Sequence, residues 1–172
     1  RWIVDGIREA GAVPAIQLNH AGRKASTGCF AVGYDGQNVP EEAGGWPTMA
    51  PSEIAFGGLR TPRALSVDEI HGLVGAFAVA AGRAVAAGFQ AIQIHAAHGY
   101  LISQFLDPLS NERDDEYGGD LTGRSRFLVE VVDAVRGAVP EGVPVLVRIS
   151  ATDWAAGGWD LDQTIALSKV LK

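Results

Sequence analysis

Cysteine occurs once in the 172 residues, at Cys29. No disulfide can therefore close within the chain and no thiolate cluster can hold zinc, which fits a reducing compartment and makes the cytoplasm the default expectation. Positive charge is also scarce: 14 Lys and Arg face 20 Asp and Glu, for a net charge of -6. Without a basic field to neutralise phosphates, nucleic acid and anionic membrane surfaces are poor partners, and small molecules are the better expectation. The longest stretch free of Asp, Glu, Lys and Arg, residues 84–106, is long enough to span a bilayer but carries Gln90, Gln93, His95, His98 and Ser103. It is expected to be buried protein rather than a membrane span. Neither a G-x-G-x-x-G fingerprint nor a P-loop is present, which removes the usual signatures of a doubly wound nucleotide-binding sheet. An initiator Met is missing as well. The chain starts at Arg1 inside a helical pattern, and residues 161–172 stop inside another, so both ends are expected to be cuts in a longer protein.

What is there is ordinary globular material, 47% hydrophobic with 22 Gly and 8 Pro, which excludes disorder and collagen-like repeats. Three short apolar runs, residues 13–18, 89–95 and 143–149, follow Gly or Pro punctuation and are expected to be strands. Helical patterns lie between them. An opening helix is expected with Trp2, Ile3 and Ile7 on one face and Gly11 ending it. Ser66 and Glu69 have capping-box spacing ahead of Leu73, Val74, Phe77, Ala81, Ala84 and Val85, with Gly88 as a stop; a later helix carries Phe127, Leu128, Val131, Val132 and Val135. Residues 25–61, rich in Gly, Pro and polar side chains, are expected to form a long functional loop. Alternating strands and helices predict an α/β fold with parallel pairing, either doubly wound or part of a (β/α)8 TIM barrel. A complete barrel needs roughly 250 residues, so three strands here stand for an internal section.

Side chains alternate faces along a strand, so Gln17, Gln93, His95 and Arg148 are expected on the inward face, near the strand ends where barrel enzymes place their chemistry. Arg148 stays charged and requires an electron-rich neighbour, either a carboxylate in a structural ion pair or a ligand. Gln17 offers a donor and an acceptor, suited to an imide-like edge or to a satisfied buried amide. His95 and His98, three apart, suit structural histidines, two donors converging on one oxygen, or metal ligands. Arg148 would repel a cation, and no further Asp, Glu or His is expected at the other strand ends, so no metal site is assigned. Tyr100 suits a general acid or a packing aromatic.

Four segments together, Gln17 to Lys24 (QLNHAGRK), His95 to Leu106 (HAAHGYLISQFL), Ser110 to Gly119 (SNERDDEYGG) and Val147 to Ser150 (VRIS), resemble the Old Yellow Enzyme family of flavin-dependent ene-reductases, closest to its bacterial YqjM-like and xenobiotic-reductase-like branch. The resemblance runs over nearly the whole chain in the same order. It implies an FMN-binding (β/α)8 barrel of which residues 1–172 hold about strands 3 to 5. It further implies that Gln17 and Arg148 bind FMN, that His95 and His98 bind the carbonyl oxygen of an α,β-unsaturated substrate, and that Tyr100 protonates the α-carbon. NADPH or NADH is the implied reductant, and a homo-oligomeric parent is compatible with it. Asn111 to Gly119 looks architectural, shaping its loop through Arg113 and Asp115. Two positions depart from the family pattern: Gly123 where Asn is usual, and Gln93 where an acidic residue is common. Two other readings are carried: a metal-dependent barrel hydrolase using His95 and His98, and a non-catalytic fragment. The 172 residues alone are expected to bind FMN weakly if at all, because open strand edges and missing strands leave the site incomplete.

Overall fold

The computed structural model describes residues 1–28 and 36–172. Cys29 and part of the long loop lie outside the described residues. The elements in chain order are α1 (Trp2–Glu9), β1 (Ala15–Leu18), β2 (Met49–Ala50), β3 (Arg63–Ala64), α2 (Val67–Ala87), β4 (Ala91–Ala96), α3 (Leu101–Leu106), α4 (Leu121–Ala138), β5 (Val145–Ile149) and α5 (Leu161–Val170). The three expected strands are present, each with its start moved two residues inward.

β1, β4 and β5 form one parallel sheet in the order β1-β4-β5. Consecutive parallel strands need a crossover, and α2 and α4 supply the two here. Ile92 and Ile94 are fully buried against Phe77 and Ala81 of α2 and Phe127, Leu128, Val131 and Val135 of α4. Each such side chain contributes about 1.5–3 kcal/mol through burial. The opposite face of the sheet stays open to solvent, with Leu146 half exposed.

The helix boundaries follow from local chemistry. Ser66 Oγ accepts from the Glu69 N–H at 3.2 Å while the Glu69 carboxylate accepts from the Ser66 N–H at 2.9 Å, the capping box expected of this spacing. The same carboxylate takes both ends of the Arg63 guanidinium at 2.8 and 2.6 Å. Arg63 and then the Ser66 N–H pull the Glu69 carboxyl down to about 2. Gly88, at φ 103°, ends α2 in the left-handed conformation that favours glycine. Residues 84–106 are thus divided among the end of α2, β4 and α3. Among the described residues, α2 is the one helix long and apolar enough by length and composition to cross a membrane; here Ile70, Phe77, Ala81 and Ala84 are buried in the core.

Two segments show more than the sequence reading gave them. α1 forms, but the face that packs is Val4, against Gly88, while Trp2 and Ile3 are exposed. The hydrophobic pattern marked the helix; its buried residue, Val4, was not among the residues that carried the pattern. The long loop also carries structure: a 3-10 turn at Glu41–Ala43 and β2, which pairs in parallel with β3 through Met49 and Ala50. Two-residue strands have no periodicity to detect.

Candidate active site

The register of the sheet sets the site. Gln17 lies opposite Gln93, and Gln93 opposite Leu146; one pleat further along, His95 lies opposite Arg148. All five share the open, inward face, as strand alternation requires. Gln17 Nε2 donates to Gln93 Oε1 at 2.5 Å. The three ion pairs among the described residues leave Arg148 uninvolved. The structural ion pair that strand alternation left open for Arg148 is therefore absent among the described residues, and its guanidinium stands exposed on this face.

β4 delivers His95 into the start of a tight turn. The Ala97 N–H donates to His95 Nδ1 at 3.1 Å, so Nδ1 is the acceptor and the ring proton sits on Nε2. Burial, then the nearby His98 and Arg148, lowers the His95 pKa below its ordinary value of 6.5 and holds the ring neutral. The His98 ring stands edge-on to His95 with centroids 5.1 Å apart, and the Tyr100 ring does so at 5.2 Å. His98 itself sits at φ 59°, an uncommon conformation for a residue with a Cβ. Its N–H donates to Ser150 Oγ at 3.0 Å and its carbonyl accepts from Lys24 Nζ at 2.8 Å. The turn after β4 is held from the segments that follow both neighbouring strands.

Lys24 is the residue that the spacing gave no role. Its ammonium also lies 3.9 Å from the Phe56 ring centroid and 5.8 Å from that of Tyr100, a cation–π arrangement. Burial, then the adjacent Arg23, lowers its pKa. The only signal in the sequence was its place seven residues after Gln17, within the first recognisable segment.

Below the turn, the fully buried Gln104 joins the loops that follow β1 and β4. Its Nε2 donates to Gly99 O at 2.8 Å and Ala21 O at 3.4 Å, and its Oε1 accepts from the Arg23 N–H at 3.3 Å. Gly22, at φ 59°, passes so close that a Cβ there would lie 2.5 Å from the Gln104 amide. The Leu101 N–H adds a bond to His20 O at 2.9 Å. Asn111 to Gly119 acts as the architectural segment expected. Arg113 pairs with Asp115 and donates to Pro51 O and Leu65 O at 2.9 and 2.6 Å, while Asn111 Nδ2 bridges Phe105 O and Tyr117 O.

The five sequence-derived residues therefore share one face and one end of the sheet: Gln17 and Arg148 on the strands, His95 at the end of β4, His98 and Tyr100 in the turn beyond. Among the described residues no group of three His, Cys, Asp or Glu is placed to hold a metal ion. The arrangement offers an amide edge, an uncompensated guanidinium and two imidazoles beside a phenol. An electron-rich ring with an imide edge, such as a flavin, fits the first two; a carbonyl oxygen fits the imidazoles.

The profile of the NADH:flavin oxidoreductase / NADH oxidase family matches residues 1–172. The chain is 48% identical over 157 residues to an NADPH dehydrogenase of Clostridium acetobutylicum, covering 91% of this chain and 42% of that protein. It is 46% identical over 171 residues to a Gibberella zeae NADH:flavin oxidoreductase, covering 91% and 41%. Among solved structures, the Old Yellow Enzyme homologue of Zymomonas mobilis superposes with a TM-score of 0.81 at 33% identity, covering 98% of this chain and 47% of that one. Morphinone reductase in complex with tetrahydroNAD gives 0.77 at 33% identity, with the same coverage. The chain spans less than half the length of these proteins, and its three-stranded sheet is a section of their (β/α)8 barrel.

Proposed function

The chain belongs to the NADH:flavin oxidoreductase / NADH oxidase family, that of the Old Yellow Enzymes, and from that premise we propose that it forms the substrate-facing section of an FMN-dependent NAD(P)H oxidoreductase that reduces the activated C=C bond of α,β-unsaturated carbonyl compounds. One observation carries the substrate class: the Nε2–H of His95, fixed by the Ala97 N–H on the opposite nitrogen, beside the His98 and Tyr100 rings at 5.1 and 5.2 Å.

Gln17 would hold FMN by its amide edge and Arg148 by its charge. FMN, when bound, supplies hydride taken from NADPH or NADH. As hydride reaches the β-carbon of an enone, negative charge builds on the carbonyl oxygen. The His95 Nε2–H and the His98 ring are donors in place before that charge develops, so their bonds strengthen toward the transition state. His95 is held neutral by burial, which keeps it a hydrogen-bond donor without making it an acid that protonates the oxygen outright. The Tyr100 hydroxyl supplies the proton that completes reduction at the α-carbon. Lys24 holds the carbonyl of His98 and so fixes the turn on which both His98 and Tyr100 depend.

The test is anaerobic reduction of 2-cyclohexenone by NADPH with the FMN-loaded natural polypeptide that carries these residues. Cyclohexanone is the expected product, and His95→Leu is expected to reduce kcat by about 10²–10³, the size typical of losing one preorganised donor. Flavin that NADPH bleaches and that the enone then leaves reduced, with no cyclohexanone formed, would overturn the substrate class while leaving the flavin chemistry in place.

A further inference from the structure

Gln93 does nothing in the chemistry above, yet the hydrogen bond it makes to Gln17, 2.5 Å long, is the one side-chain bond that either residue forms among the described residues. The strand neighbours on either side of Gln93 and one pleat back, Leu146, Ala15 and Ala91, carry no side-chain hydrogen-bonding group. The next inward residue of β4, His95, already has its Nδ1 engaged by Ala97. Gln17 is thus the side chain available to the Gln93 carbonyl.

We propose that Gln93 is a positioning residue which, by accepting one N–H of Gln17, fixes the orientation of the Gln17 amide so that its carbonyl and its second N–H face the cofactor side by side. The inference rests on the flavin reading above. A carboxamide can turn about its last bond and present either its oxygen or its nitrogen in a given direction. With the nitrogen committed to Gln93, one acceptor and one donor remain, complementary to the N–H and C=O of an imide edge. In the reversed orientation the two N–H groups would turn outward, and the imide N–H would meet a donor. A neutral amide at position 93 also leaves Arg148 as the one charged side chain on the inward strand face, so no carboxylate competes with the cofactor for it.

The test compares FMN with FMN methylated at the imide nitrogen, using the natural polypeptide and flavin fluorescence quenching to measure both dissociation constants. The unsubstituted protein is expected to prefer FMN by about tenfold, the size of one well-made hydrogen bond, about 1.4 kcal/mol. Gln93→Leu, which removes the acceptor, is expected to lose most of that preference at an unchanged melting temperature. Gln93→Glu keeps an acceptor and is expected to retain it. Gln93→Met replaces the leucine variant if the latter does not fold. Equal preference in the unsubstituted and leucine proteins would overturn the role of Gln93, as would a glutamate variant that behaves like leucine. A polypeptide that binds neither flavin overturns the flavin reading itself, and the inference falls with it.

Discussion

The Ala97 N–H donates to His95 Nδ1 at 3.1 Å, and this bond decides which nitrogen of His95 faces the substrate. Because burial, then the neighbouring His98 and Arg148, lower the pKa, the folded protein binds this proton less readily than the unfolded chain. Stability from His95 is therefore present above the unfolded value of 6.5 and is lost as pH falls through the lower folded value. Nitrogen-15 NMR at pH 7 is expected to show His95 protonated on Nε2 alone, with a midpoint below 6.5. A midpoint above 6.5, or protonation on Nδ1, would contradict the assigned donor.

Arg148 stands opposite His95 with no ion pair among the described residues. An uncompensated cation favours the more negative, reduced form of a bound ring. Arg148→Leu is expected to lower the two-electron midpoint potential of bound flavin by about 30 mV, equivalent to about 1.4 kcal/mol. A dye-coupled reductive titration reads this directly, and an unchanged potential would remove Arg148 from the cofactor.

Gln104 is fully buried and supplies three bonds between the loops after β1 and β4. Gln104→Leu leaves the Gly99 and Ala21 carbonyls and the Arg23 N–H without it. The expected cost is about 1–3 kcal/mol for each group left both buried and unpaired. Urea unfolding gives the value, and a loss below 0.5 kcal/mol, about the lower end for a typical hydrogen bond, would mean the loops are held by other contacts.

Gly123 lies in the first turn of α4, where its N–H donates to the cap of Asp120 at 2.9 Å. In most helices Gly→Ala stabilises by about 1 kcal/mol. Here an added Cβ would lie 2.0 Å from Gly118 O, so Gly123→Ala is expected to destabilise by about 1–3 kcal/mol through overpacking. Relief rather than loss in a thermal melt would show that the preceding turn yields.

Much of this was legible in the sequence because the signals were periodic or local. The inward placement of Gln17, His95 and Arg148 followed from strand parity, and the α2 boundaries from Ser66, Glu69 and Gly88. Gly123 stood out in the sequence only as a departure from the family pattern; its closeness to Gly118 O emerges from the fold. The contacts of Lys24 with His98, and of Gln104 with Ala21, join residues 74 and 83 positions apart. They depend on how two loops approach in space, which no periodicity records. Which residue of α1 packs is of the same kind: Trp2 and Ile3 stay exposed, and Val4 is the one that meets the turn at Gly88.

The most direct test of the account is a visible spectrum of the natural polypeptide after FMN addition and desalting, followed by anaerobic NADPH and then 2-cyclohexenone. A retained flavin band that bleaches with NADPH and returns with the enone is the predicted result. A polypeptide that retains no flavin, or whose bleached flavin the enone leaves unchanged, would contradict it.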